Sequence, residues 1–306
     1  MRKDLRTLVS CKLPSGVKFE LEGMTLYIGL EKKGLISNMQ VDSSAFEGWA
    51  LVLMANYPEL IKDIVIEWTP LDLSSLKSGE RGHYYRFLYR AYKFQENFPK
   101  LVKINPEIPN DYVDEMSDDW VLNYPNAESK ESDKELKQEA YLERKVLLPL
   151  MQERFAVADH QLPAGLFYKK KSSKPEFERT PRRLSQADLW SLDNDILTIY
   201  ELKIDSNKPV GIISEILFYT NVMKDLTDHI INYSEEFFRK RKYYRHSKEL
   251  ADAISENKVK KVVGVLLANN LHPLITKEVI SMMSANASGI EYKDITVDDF
   301  RISLSK

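Results

Sequence analysis

QADLWSLDNDILTIYELKI, residues 186–204, is the stretch whose reading decides the fold. Asp193-Asn194-Asp195 is a run of turn residues between two segments rich in apolar and β-branched side chains. It predicts a tight turn joining two antiparallel strands, residues 183–192 and 196–204. The register such a turn imposes sets Asp188 beside Glu201. Side chains alternate across a strand, so Glu201 and Lys203 point to the same face, with Cβ atoms roughly 7 Å apart. Two carboxylates and one ammonium then share a patch of sheet. Isolated charges are costly to bury unless they are paired or bind a metal. Adjacent carboxylates repel unless a cation relieves them, and oxygen ligands of this kind favour Mg²⁺ or Mn²⁺. Such an ion polarises a phosphodiester and acidifies a bound water, while Lys203 orients that water or offsets developing charge. The competing account is an incidental ion pair in an unrelated α/β domain.

Working outward from the hairpin, residues 134–155 predict a long amphipathic helix that Pro149 bends or ends, and residues 166–171 a first strand ahead of the hairpin. After the hairpin come helical stretches over 210–231 and 234–256. The wholly apolar run 262–268 predicts a strand buried on both faces, followed by a helix over 273–284 and a strand over 290–297. Residues 105–137, rich in Pro, Asn, Asp, Glu and Ser, read as an exposed connection. The expected organisation is a smaller α+β domain over residues 1–125 and an α/β domain over 126–306. In the first, residues 17–30 predict a hairpin, 43–57 a helix capped at Ser43 or Ser44, 64–68 a strand and 84–98 a helix dense in Tyr, Phe, Arg and Lys. The aromatics of that last helix are expected in the core and its cations in solvent, rather than as a nucleic-acid surface.

A chain of 306 residues, 43% hydrophobic and without a run of apolar residues long enough to span a bilayer, predicts a soluble protein. Asp4 and Arg6 break the segment ahead of Cys11, which argues against a signal peptide. One cysteine makes no internal disulfide, in keeping with a cytoplasmic setting. A net charge of −2 leaves any attraction for nucleic acid to local clusters. One runs from Lys169 to Arg183 and contains Lys170, Lys171, Arg182 and Arg183; the other is FFRKRKYYRHSK, residues 237–248, with Arg239, Arg241 and Lys242. Either a phosphate-contacting surface or a solvated face explains them. The five histidines show no zinc spacing, and no phosphate-cradling glycine loop or nucleophile elbow occurs.

Asp188 followed by Glu201-Leu202-Lys203 resembles the hallmark of the PD-(D/E)xK nuclease superfamily, with Ala187 where the family often has proline. The resemblance extends over roughly residues 135–302. It implies a restriction-endonuclease-like mixed sheet flanked by helices. It also implies a Mg²⁺ or Mn²⁺ ion held by Asp188, Glu201 and the Leu202 carbonyl, and hydrolysis of DNA in host defence or DNA processing. Glu143 matches the acid of the family's first helix, with Glu139 as a substitute. Glu215 and Tyr219 stand where many members carry Gln and Tyr four residues apart, on one helix face turned to the site and its nucleic acid. Cutting both strands of a duplex needs two sites, which a homodimer supplies. A nucleic-acid-binding or assembly protein that has kept the fold without the chemistry is the alternative.

Overall fold

The turn forms at the DND run, with Asn194 in the left-handed region at φ 53°, a conformation that Asn tolerates better than most residues. On either side the strands Gln186–Asp193 and Ile196–Lys203 pair antiparallel from Ile196 opposite Asp193 to Tyr200 opposite Leu189. One residue further, the same register sets Asp188 against Glu201, as the spacing predicts. The protein is seen here in a computed structural model that describes residues 1–126, 138–181, 185–204 and 209–305.

The strands, in chain order, are β1 (Lys3–Asp4), β2 (Val17–Glu22), β3 (Thr25–Leu30), β4 (Asp63–Trp68), β5 (Val102–Asn105), β6 (Trp120–Leu122) and β7 (Val157–Pro163). They continue as β8 (Leu166–Tyr168), β9 (Gln186–Asp193), β10 (Ile196–Lys203), β11 (Asn232–Tyr233), β12 (Lys261–Ala268) and β13 (Glu291–Ile295). Among the described residues they form three sheets, ordered β1-β2-β3-β4-β5, β13-β12-β10-β9-β7 and β11-β6-β8. The architecture is mixed α/β. In the first sheet the β2–β3 hairpin is antiparallel, whereas β3, β4 and β5 run parallel. Alternation buries Val17, Phe19, Leu21, Leu26, Ile28, Ile64 and Ile66 on one face, the pattern of a half-covered sheet. The helices Phe46–Asn56 and Ser78–Asn97 supply residues to the same core.

The second sheet positions the candidate site. β7, β9 and β10 are successive antiparallel neighbours, and β12 joins β10 in parallel after the helix Ile212–Thr227. β12 is buried along all but its first residue, as its unbroken apolar run predicts. Leu189, Tyr200 and Leu202 face a core with Leu147, Met151 and Phe300. Leu197, Ile199 and Trp190 instead join Ile212 and Ile216 in the large core shared with the first sheet.

Several elements depart from expectation. The first strand of the second sheet is β7; β8 belongs to the small third sheet, paired with β6. β7 contains Asp159, His160, Gln161 and Pro163, so its composition hides a strand that tertiary pairing creates. Within the expected connection lie the helix Asn110–Asp119 and β6. Tyr112, Met116 and Trp120 recur every fourth residue there and are buried, and three anchors outweigh the polar composition. Residues 127–137 of that stretch lie outside the described residues. The stretch 234–256 is not one helix: Glu235–Phe238 and Ser247–Ser255 are separated, and Arg245 and His246 are left-handed at φ 52° and 49°. The cations of RKRKYYR would repel along a continuous helix. The 134–155 helix begins in the described residues at Gln138; a π-helical segment, Leu142–Leu147, interrupts it, and Pro149 falls in the first turn of the next segment, where its missing N–H is tolerated. Ser44 does not cap the Phe46–Asn56 helix; its hydroxyl and carbonyl accept from Arg90.

The Ser78–Asn97 helix corrects the expectation of solvated cations. Its aromatics are core, but Arg86, Arg90 and Lys93 are buried as well. Buried guanidinium and ammonium groups persist only when paired. Arg90 forms an ion pair with Glu47, which also accepts from Ser214 at 2.8 Å. Lys93 lies 2.7 Å from Asp225, Tyr89 donates to the same carboxylate at 2.7 Å, and Asn97 donates to Asn221 at 2.8 Å. These bonds tie the first 100 residues to the helix that follows the hairpin. No helix of the described residues is long and apolar enough to cross a membrane.

Lys93→Met leaves the Asp225 carboxylate buried without its cation. Urea unfolding is expected to show a loss of about 3 kcal/mol; a loss below about 1 kcal/mol would mean that the pair contributes little to holding the two parts together.

Candidate functional site

β10 carries Glu201 and Lys203 on the face that also presents Leu197 and Ile199, under the helix Ile212–Thr227. Both charged side chains are almost fully buried, at 2% and 3% exposure. Lys203 Nζ lies 2.6 Å from Glu201 Oε1 and 3.3 Å from Glu215 Oε2, so one ammonium bridges the strand and the first turn of the helix. Asp188, on β9, does not touch the ammonium. Its Oδ2 accepts the backbone N–H of Leu202 at 2.8 Å, one step beyond the last backbone pair of β9 with β10. The side chain thereby takes over a ladder bond, which fixes the carboxylate against the Glu201-Leu202-Lys203 segment.

Glu143, on the π-helical segment Leu142–Leu147, lies within the field of Asp188. It is buried, and its Oε1 has no hydrogen-bond partner; the nearest cation, Arg144 Nε, stands 3.6 Å away. Glu201 Oε2 is likewise buried and unpartnered. Buried carboxylate oxygens without a donor are costly, and a hard cation is the kind of partner that would satisfy them. The electrostatics agree. Burial, with the charges of Asp188 and Glu215, holds the Glu201 carboxyl well above its usual range against the pull of Lys203. Burial raises Asp188 to about 6 despite Lys203 and the Leu202 N–H, and burial together with Asp188 raises Glu143 to about 7. Burial pulls the Lys203 pKa down, but Glu201, Glu215 and Asp188 outweigh it and hold the ammonium charged. Three carboxylates share one cation. Among the described residues no three His, Cys, Asp or Glu side chains form a ready-made metal cage. An ion would therefore need the Leu202 carbonyl, water or substrate oxygens beside Asp188 and Glu201.

Two neighbours come from the far end of the chain. Gln40 Nε2 donates to Glu215 Oε2 at 3.0 Å. A Cβ on Gly211, just before the helix, would lie 2.4 Å from the Gln40 carbonyl oxygen; only glycine admits that approach. Arg86, fully buried, bonds Ser185, Ser37 and Asn38, and burial with the Arg90 charge lowers it to about 10. Its charge reaches Tyr219, and that residue is a correction. Expected to meet nucleic acid, Tyr219 is 3% exposed and offers no face for a base. Burial and the charges of Glu201, Glu215 and Asp188 raise its hydroxyl pKa.

The residues of the basic clusters are partly exposed and partly engaged within the fold. Lys170 is exposed, with its ammonium 5.0 Å from the centre of the Phe177 ring, whereas Lys171 is half-buried against Tyr124 and bonds its carbonyl. Arg182 and Arg183 lie outside the described residues. Arg239, Arg241 and Lys242 are exposed; Arg239 pairs with Glu235 at 2.8 Å, and Lys242 stacks on Tyr244. Gln40 and Arg86 were invisible to sequence reading because only the tertiary fold brings them to the hairpin. No family model, no curated protein and no solved structure matches the chain.

Raised carboxyl pKa values mean that the folded state holds protons which the unfolded chain releases above about pH 4. Their stabilising contribution is present below the unfolded values and is lost as pH rises through the folded ones. In EDTA, Tm is expected to fall between about pH 5 and 7.5, and less steeply in the double variant Asp188→Asn/Glu143→Gln; identical slopes would contradict the assignment. Gln40→Leu removes a donor to Glu215 and is expected to cost about 1 kcal/mol in unfolding free energy, read by urea titration.

Proposed function

We propose that the chain is a Mg²⁺- or Mn²⁺-dependent nuclease of the PD-(D/E)xK kind acting on DNA. The observation that carries this reading is the buried, unpartnered Oε2 of Glu201, facing the Asp188 carboxylate's field beside a charged Lys203. The order of the second sheet supports it: a helix, three antiparallel strands, a helix, then a strand parallel to the third. That is the arrangement a restriction-endonuclease-like core would need, with the acid on the second strand and the Glu-x-Lys tripeptide on the third.

Asp188, Glu201 and the Leu202 carbonyl would hold the ion. When bound, it would supply positive charge at a phosphodiester and make a water acidic enough to attack near neutral pH. The remaining work falls to this chain's residues. Glu215 keeps Lys203 directed into the cluster when Glu201 turns away from it, because the ammonium touches both carboxylates. Lys203 then donates to a phosphate oxygen or to the attacking water, in a site where burial strengthens each charge interaction. Glu143, raised to about 7, exchanges a proton near neutral pH and so suits proton transfer to the leaving oxygen. Lys170, Arg239 and Arg241 offer exposed charge for backbone phosphates.

One observation favours a second reading, a DNA-binding protein without hydrolysis: Lys203 already neutralises Glu201, and the described residues contain no ready-made cage. Cleavage separates the two. With Mg²⁺ and a mixed panel of DNA and RNA, wild type is expected to cut DNA. Lys203→Ala, Asp188→Asn and Glu201→Gln are expected to cut about 10²–10³-fold more slowly while still binding. Binding without cleavage by wild type would favour the second reading, and cleavage surviving in Asp188→Asn and Lys203→Ala would overturn the site.

A further inference from the structure

At the carboxyl ends of the parallel strands β4 and β5 lies a cavity of about 270 Å³. Trp68, the last residue of β4, and Pro106, which follows the last of β5, stand in its wall. Tyr84, Tyr85 and Leu88 join them from the Ser78–Asn97 helix, and Tyr112 from the Asn110–Asp119 helix. The space outside the carboxyl ends of parallel strands is where such sheets take ligands. At this volume, below the roughly 300 Å³ at which small-molecule sites begin, the cavity suits one long side chain rather than a cofactor.

The charges of the wall have one sign. Glu107, Asp111 and Glu115 line the cavity, and no Lys, Arg or His is among the described residues that do. Glu115 is held by Arg179 and by the indole N–H of Trp120, whereas Glu107 and Asp111 are exposed and have no ion-pair partner among the described residues. From Asp111 the charge continues along the helix. Asp114 and Asp118, also exposed and without an ion pair, follow at three- and four-residue spacing on the same face, over about 10 Å. A second, independent sign is Trp68, 8% exposed, whose indole Nε1–H is buried without an acceptor. A buried donor of that kind is costly; the carbonyl of an extended peptide would satisfy it. The chain already shows what an aromatic ring and an acid offer a cation: Arg179 sets its guanidinium 4.7 Å from the centre of the Tyr85 ring while pairing with Glu115.

We propose that this cavity and its acidic ridge dock a basic segment of a partner protein. One arginine enters the cavity, against the aromatic wall and the carboxylates of Glu107 and Asp111, and a neighbouring cation lies along Asp114 and Asp118. A guanidinium stacks on aromatic rings and bonds carboxylates through a planar fork, which an ammonium does not. The same carboxylates repel a phosphate backbone, so this face disfavours nucleic acid. A free amine would use the cavity and leave the ridge idle. The inference stands apart from the nuclease reading and gives the first part of the chain a binding role of its own.

The test is fluorescence anisotropy of a labelled peptide with two arginines three residues apart, a span of about 10 Å when extended, titrated with the full chain. Lysine and citrulline versions and free arginine amide are run beside it. The arginine peptide is expected to bind about tenfold more tightly than the lysine version, and the citrulline version more weakly still. Glu107→Gln/Asp111→Asn is expected to weaken binding about tenfold, and Asp114→Asn/Asp118→Asn several-fold with a shallower salt dependence. Leu73→Trp, which fills the cavity from a half-buried position in its wall, is expected to remove the preference for arginine. The exposed acid pairs serve if Leu73→Trp does not fold. Equal binding of the arginine and citrulline peptides, or unchanged affinity in Glu107→Gln/Asp111→Asn, would overturn the proposal. So would arginine amide binding as tightly as the peptide, which would assign the cavity to a small amine. Self-association of the chain alone that the Glu107→Gln/Asp111→Asn variant abolishes would also overturn it, by making the occupant a second copy.

Discussion

The contact on which the rest of the site depends is the ammonium of Lys203 between Glu201 on β10 and Glu215 on the following helix. A lone lysine on a central strand would be driven toward neutrality by burial; this one stays charged because three carboxylates outweigh that effect. The converse is that one cation is shared among three acids, and at least one carboxylate oxygen, Glu201 Oε2, is left with nothing to bond. A buried ion pair of this sort is weak evidence for stability. Its excess of acids over cations, with carboxyl groups raised by burial and by one another, makes better sense as the resting state of a site that takes up a cation.

Holding that contact requires the helix to approach the strand closely and in one register. Ile212, Ile216 and Leu266 supply the apolar packing, and Gly211 lets the chain pass against the Gln40 backbone. The Gln40 amide then fixes Glu215. The first part of the chain is therefore not a passive appendage. Through Gln40, and through the buried pairs Arg90–Glu47 and Lys93–Asp225 with their bonds to the Ile212–Thr227 helix, it braces the helix that carries Glu215.

What could be read from the sequence was what local periodicity encodes. A period of two and a DND turn were enough to bring Asp188, Glu201 and Lys203 to one patch, and the unbroken apolar run of β12 was enough to place it inside. Longer-range facts left weaker traces. β7 was missed because Asp159, His160 and Gln161 give it no apolar alternation, and its pairing with β9 depends on tertiary context. Arg86, Arg90 and Lys93 look like the wet face of a helix until the partners Glu47 and Asp225, distant in sequence, come into contact with them. Tyr219 shares a helix with Glu215, as its spacing implies, yet it lies in the large core shared with the first sheet and is buried there.

The most direct measurement is anomalous diffraction from crystals soaked in Mn²⁺ near neutral pH. A single strong peak is expected in bonding reach of Asp188 and Glu201 Oε2, with Lys203 released from Glu201 and resting on Glu215. Crystals saturated with Mn²⁺ that show no peak there, with the Lys203–Glu201 bond intact, would contradict it.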